Sequence, residues 1–153
     1  MAKRNLVLAA LTVCFLTGCG TSRYAEKFSE TADEYKIAEA VYGFMLQRHF
    51  WDSGVYAAVF LKGSDDEVAA LIRKFPNHVP PIRPGRRAEL QPNRTPLDKN
   101  TGKPAIIFSA EVMEPAGNEA EAIGTWYAGA AVTGHYTFTL RKNNGEWEIQ
   151  SVK

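Results

Sequence analysis

The sequence predicts an α+β domain: a helix, a strand, a second helix, a long proline-rich loop, and then a four-stranded antiparallel, curved sheet. Three observations carry this reading. Two early segments place apolar residues at helical spacing, each behind a capping pattern. The last third of the chain runs through four strand-like segments, with an Asn-Gly turn between the final two. Seven of the eight prolines fall between positions 76 and 104, separating the two halves. With helices early and strands late, the helices pack on one face of the sheet. A chain of 153 residues builds one hydrophobic core and is short for two.

Thr31 and Glu34 stand at capping-box spacing, and Ile37, Ala38, Val41, Phe44 and Met45 follow as one apolar stripe. A core-facing helix is expected to about His49. "VYAAVFLKG", Val55 to Gly63, is short, β-branched and aromatic, and reads as a strand. Ser64 and Glu67 repeat the capping box, and Val68, Leu71, Ile72 and Phe75 keep a helical stripe until Pro76 stops it.

The loop from Pro76 to Pro104 carries six Arg or Lys against two acids. It joins a helix to a strand inside one domain, so it is no interdomain linker. Its length exceeds the usual connection, and its prolines lower the entropy lost on ordering. Three roles stay open: an ordered strap, a partner or surface contact through Arg83, Arg86 and Arg87, and a lid over a pocket.

The four strands are expected at Ala105–Glu114, Ala120–Ala130, Gly134–Lys142 and Glu146–Val152. A two-residue turn at Asn144-Gly145 sets Leu140 opposite Ile149 and Arg141 opposite Glu148. Tyr136, Phe138, Leu140, Trp147 and Ile149 then share one face, while His135, Thr137, Thr139 and Arg141 face away. Trp126 and Tyr127 are adjacent and project to opposite faces. One of them therefore leaves the main core, either under a loop or open to a partner.

Composition is that of a globular protein, with 45% hydrophobic and 23% charged residues and a net charge of +1. This balance argues against disorder and gives no overall pull toward nucleic acid. The N-terminus stands apart. Lys3 and Arg4 precede Leu6 to Leu16, an apolar stretch about half the ~20 residues that a membrane-spanning helix needs, and the pattern fits a secretory signal. Leu16-Thr17-Gly18-Cys19, directly behind it, closely resembles the lipobox of bacterial lipoproteins.

That resemblance implies cleavage between Gly18 and Cys19, a diacylglyceryl thioether on Cys19, and usually an acyl group on the new amine. Two or three chains, at ~0.8 kcal/mol per buried methylene, hold a protein on a bilayer effectively permanently. Residues 1–18 would be a removed signal peptide, 19–30 a lipidated cysteine and tether, and 31–153 the single domain. The tether spans roughly 17–20 Å as flexible chain. Loss of residues 1–18 removes two bases and no acid, so the net charge moves from +1 to −1. With Cys14 discarded and Cys19 consumed, no disulfide holds the domain. Gly20 resembles an outer-membrane address in a diderm cell, on the periplasmic face.

The order of elements resembles the nuclear-transport-factor-2-like, or cystatin-like, α+β cone. The tail "GTWYAGAAVTGHYTFTLRKNNGEWEIQSV" looks like its closing three strands. The stretch from "VYAAVFLKG" through "PPIRPG" and "DKNTGKPAIIFSAEV" is similar to exported bacterial proteins of unassigned function. The wider fold hosts enzymes, small-ligand binders and assembly modules, so it implies no single activity.

For chemistry, "RHFWD" brings His49 and Asp52 near each other at a helix end, an acid–base pair for a pocket. A helix-terminal His and a turn Asp account for the same residues without function. The histidines at 49, 78 and 135 lack paired ligand spacing, so no metal and no cofactor is expected. The acids of "GSDDE" fit a helix's first turn, and "PIRP" is a weak match to a proline-spaced recognition peptide. No nucleophile–base set or phosphate loop appears. The expected function is a membrane-anchored binding or assembly module of the cell envelope, meeting an envelope protein or an anionic surface. The alternative is a ligand-binding or enzymatic cone with its pocket between sheet and helices.

Overall fold

The computed structural model of the chain describes residues 28–48 and 55–153. The lipobox residues Gly18 and Cys19 and the pair His49 and Asp52 lie outside the described residues.

The first helix, α1 (Asp33–Arg48), buries Ile37, Ala38, Val41 and Met45 as its stripe predicts. Tyr35, Tyr42 and Leu46 are buried as well, so its apolar face is broader than one stripe. The expected capping box at Thr31 does not form. Thr31 Oγ1 meets Ser29 Oγ at 2.8 Å, and the helix opens at Asp33. Asp33 lies on the positive end of the helix dipole and has stronger partners: its carboxylate accepts from Lys142 Nζ at 2.8 and 2.9 Å and from Trp147 Nε1 at 3.0 Å.

The strand expected over 55–63 is regular only at β1 (Val59–Leu61), where all three residues are buried. The side chain of Tyr42 explains where it stops. Its hydroxyl donates to Lys62 O at 2.6 Å and accepts from Ala110 N–H at 3.0 Å. These are backbone groups that continued pairing between the neighbouring strands would use, and the buried hydroxyl closes the ladder instead.

The second helix, α2 (Asp65–Lys74), follows the sequence pattern closely. Ser64 Oγ accepts from Glu67 N–H at 3.3 Å, and the Glu67 carboxylate accepts from Ser64 N–H. Val68 and Leu71 are buried, and Phe75 caps the C-terminus immediately before Pro76.

The stretch 76–104 is an ordered strap with structure of its own. It holds β2 (Ile82–Pro84), a 3-10 turn at Gly85–Arg87, β3 (Ala88–Leu90) and β4 (Pro96–Asp98). The sheet proper continues with β5 (Ile106–Val112), β6 (Glu119–Tyr127), β7 (Thr133–Asn143) and β8 (Glu146–Val152).

The order is β2-β1-β5-β6-β7-β8, with β1 parallel to both neighbours and the rest antiparallel. The sheet thus has six strands where four were expected. Two of them are short parallel additions: β1, which was expected as a strand but not within this sheet, and β2, whose three residues carry too little alternation to be read from sequence. β3 and β4 pair apart from this sheet.

The last hairpin has the predicted register, Leu140 opposite Ile149 and Arg141 opposite Glu148. Asn144 (φ 51°) and Gly145 (φ 85°) form its turn, the left-handed pair a type I′ turn requires. A bulge between Thr139 and Leu140 then shifts the register toward Val152.

One face of the sheet meets both helices. Phe108, Phe138, Leu140 and Trp147 pack there with Ile37, Val41, Met45, Val68 and Leu71. On β6 the residues beneath α1 are small, namely Ala120, Ala122 and Gly124. A Cβ on Gly124 would lie 2.6 Å from Met45 Sδ and 3.0 Å from Val41 Cγ1, so its absence lets the helix settle onto the sheet. On the other face a second, smaller cluster joins Ala58, Phe60, Ala105 and Ile107 with Ala88 and Tyr127. The strap therefore covers the β1–β5 region from behind.

Candidate functional site

The charge on the strap is largely engaged within the domain. Arg83 Nη1 donates to Asp98 Oδ1 at 2.6 Å, and Asp98 is wholly buried. Asn100 N–H and Thr101 Oγ1 complete the carboxylate's bonds at 3.2 and 2.9 Å. Arg86 pairs with Asp65 in the first turn of α2. Of the three arginines expected at a partner surface, Arg83 is structural, Arg86 is engaged by α2, and Arg87 is exposed, without an ion pair among the described residues.

His78 links the strap to the end of α1, its ring nitrogens 2.7 Å from Pro80 O and 3.4 Å from Leu46 O. His135 is exposed on the face away from the helices, as its register implies. Tyr127 is the aromatic that leaves the main core: the strap covers it, and its hydroxyl donates to Arg94 O at 2.6 Å. Trp126 stays on the helix side, its ring over Gly134 of the neighbouring strand. The acids of "GSDDE" serve α2, Asp65 as an ion-pair partner and Glu67 as the cap.

What the sequence did not reveal is a cleft of about 400 Å³ between the start of α1, the start of α2 and the end of β5. Its size falls in the range of small-ligand pockets, roughly 300–1,000 Å³. Phe28, Ala32 and Tyr35 form one wall, Ala110 and Val112 the floor, and Glu67 the side toward α2. The Phe28 ring meets the Tyr35 ring edge-on at 5.3 Å. Phe28 and Glu30, at the end of the expected tether, therefore already touch the domain, Glu30 through Arg73 at 2.5 Å.

Two polar side chains border the cleft. Tyr35 is 4% exposed, yet its hydroxyl has no hydrogen-bond partner among the described residues. Burial pushes that hydroxyl up to about 12, with Glu39 and Glu30 adding to the effect, so it keeps its proton at any physiological pH. Desolvation also lifts the Glu67 carboxyl above the ordinary range, against the weak opposing bond from Ser64 N–H. Buried hydroxyls are nearly always paired, and an unmet one carries a penalty of roughly 1–3 kcal/mol.

A second cleft, about 350 Å³ beside α1, is different in kind. Its charges already pair with one another, Lys36 with Glu146 and Lys74 with Glu39. The Tyr35 hydroxyl is the buried polar group left unmet among the described residues, and it lies too deep to open into either cleft.

Each residue of the Tyr35 cleft has a simpler local reading. Tyr35 reads as one more ring on a helix, Glu67 as a capping acid, and Ala110 and Val112 as strand core. Phe108 and Phe138 are wholly buried in the core between the sheet and the helices. The cleft opens beyond them, where α1 and α2 begin.

Among the described residues no group of three or more His, Cys, Asp or Glu is placed to hold a metal ion, and no helix is long and apolar enough to cross a membrane. Compared with protein-family models, curated proteins and solved structures, the chain matches none.

Proposed function

We propose that this chain is a lipid-anchored binding module of a bacterial cell envelope, tethered through Cys19 and holding a small ligand in the Tyr35 cleft. The observation that carries the binding role is a cleft of about 400 Å³, of ligand size, lined by Phe28 and Tyr35 and by the acids Glu34 and Glu67. The anchor rests on the resemblance of Leu16-Thr17-Gly18-Cys19 to a lipobox, and Gly20 favours the periplasmic face of an outer membrane in a diderm cell. Phe28, near the end of the tether, lines the cleft, so the site lies at the end of the domain that the anchor holds near the bilayer. The packing of α1 across the antiparallel strands supports the further assignment to the cystatin-like cone.

Mass spectrometry of the mature protein tests the anchor. A chain beginning at a diacylated Cys19, released from membranes by Cys19→Ser, is the expected result. An unmodified Cys19 or an intact Met1 refutes it.

A further inference from the structure

We infer that the sheet face turned away from the helices joins two copies of this chain about a two-fold axis. Two unlike surfaces share that face. One half is the strap, held over β1 and the start of β5 where Ala88 packs on the cluster of Phe60 and Ile107. The other half is the outer side of β6, β7, β8 and the end of β5. There Glu111, Glu121, Thr139 and Glu148 are all exposed.

Charge divides between the two halves. The pairing register puts Glu111, Glu119, Glu121 and Glu148 on the open half, against Arg141 and Lys153. Glu119 and Glu121 also border a shallow hollow of about 270 Å³ together with Glu114 and the exposed Met113. Glu111, Glu114, Glu119 and Glu121 have no ion pair among the described residues. On the strap, Arg87, Arg94, Lys99 and Lys103 are exposed against a single exposed acid, Glu89. None of those four cations has an ion pair among the described residues either.

An acidic half beside a basic half is self-complementary. A two-fold axis normal to the face lays each strap on the open half of the other copy, an isologous contact with opposite signs on both sides. Relief agrees with charge. The strap is an extra layer on the sheet, so it stands above the open half beside it, and the two-fold seats each raised half in a recess. Four strands ~4.8 Å apart, open over about seven residues at ~3.4 Å, present roughly 400 Å². Two such contacts bury roughly 800 Å² on each copy, the size of a stable, specific interface. Leu90 on the strap, 59% exposed, and Ile123 in the open half are apolar side chains that the second copy would cover.

Sedimentation of the full chain carrying Cys19→Ser, which removes the anchor cysteine, tests the interface under reducing conditions. A dimer that weakens as salt rises is expected. Glu111→Lys with Glu121→Lys reverses the open half at positions opposite Ile123 and Thr139, so no like charges face each other across strands. Arg87→Glu with Lys99→Glu reverses the strap. Each variant alone should dimerise at least about tenfold more weakly. Mixed in equal amounts, the two should form a heterodimer of near-original affinity, because both contacts regain opposite signs.

A monomer at every concentration tested overturns the interface, whatever the variants do. A dimer held instead by the apolar stretch Leu6 to Leu16 ignores both reversals, and that result overturns it too. So does weakening in the open-half variant alone, which would make that half the seat of a different, basic partner. Two weakened variants that unfold at the original temperature yet fail to rescue each other refute the two-fold pairing of strap and open half.

Discussion

Arg83 Nη1 lies 2.6 Å from Asp98 Oδ1, joining the edge strand β2 to the fully buried acid at the end of β4. The strap's charge is thus partly turned inward, where it fastens the strap to itself. Removing one partner of such a pair leaves the other buried and uncompensated. Arg83→Ala should cost about 3 kcal/mol in urea unfolding, because Asn100 and Thr101 retain part of the carboxylate's bonding. Arg87→Ala, at an exposed site without an ion pair among the described residues, should stay within about 0.5 kcal/mol. Equal losses from the two would show that Asp98 does not depend on Arg83.

Two tyrosines on α1 make opposite predictions. Tyr42→Phe strips Lys62 O and Ala110 N–H of a shared partner inside the core and should cost about 1–3 kcal/mol. Tyr35→Phe removes a buried hydroxyl that has no partner among the described residues. Stability should hold or rise by up to about 1 kcal/mol. Thermal unfolding of both variants decides the matter, and a clear loss in Tyr35→Phe would mean that the hydroxyl is bonded in solution.

Asp33 predicts an acid-sensitive contact. The Lys142 ammonium, then the Trp147 indole N–H, hold its carboxyl below the usual value of 3.8. A depressed carboxyl contributes stability that is complete above its unfolded value and lost as pH falls through the folded one. The stability gap between wild type and Asp33→Asn should therefore be steady near neutrality and close below about pH 4. Glu67 works the other way, since its raised carboxyl favours the folded state as pH falls. Comparing the two chains at each pH cancels that opposing contribution. A gap that stays constant down to pH 2 would remove Asp33 from the acid response.

The sequence by itself determined whatever depends on neighbours along the chain. The Ser64–Glu67 cap, the stop of α2 at Pro76, the type I′ turn at Asn144-Gly145 and the face shared by Phe138, Leu140 and Trp147 are local patterns. Periodicity and turn chemistry encode them within a few residues. Tertiary structure decided whatever depends on residues far apart in sequence. Ile82–Pro84 becomes a strand only because Val59–Leu61 offers an edge to pair with, and Asp33 opens α1 where Lys142 and Trp147 meet it. The cleft is of this second kind. Tyr35, Glu67 and Ala110 each satisfy a local pattern in which no cleft can be read, and the cleft exists only where the starts of two helices meet the end of β5.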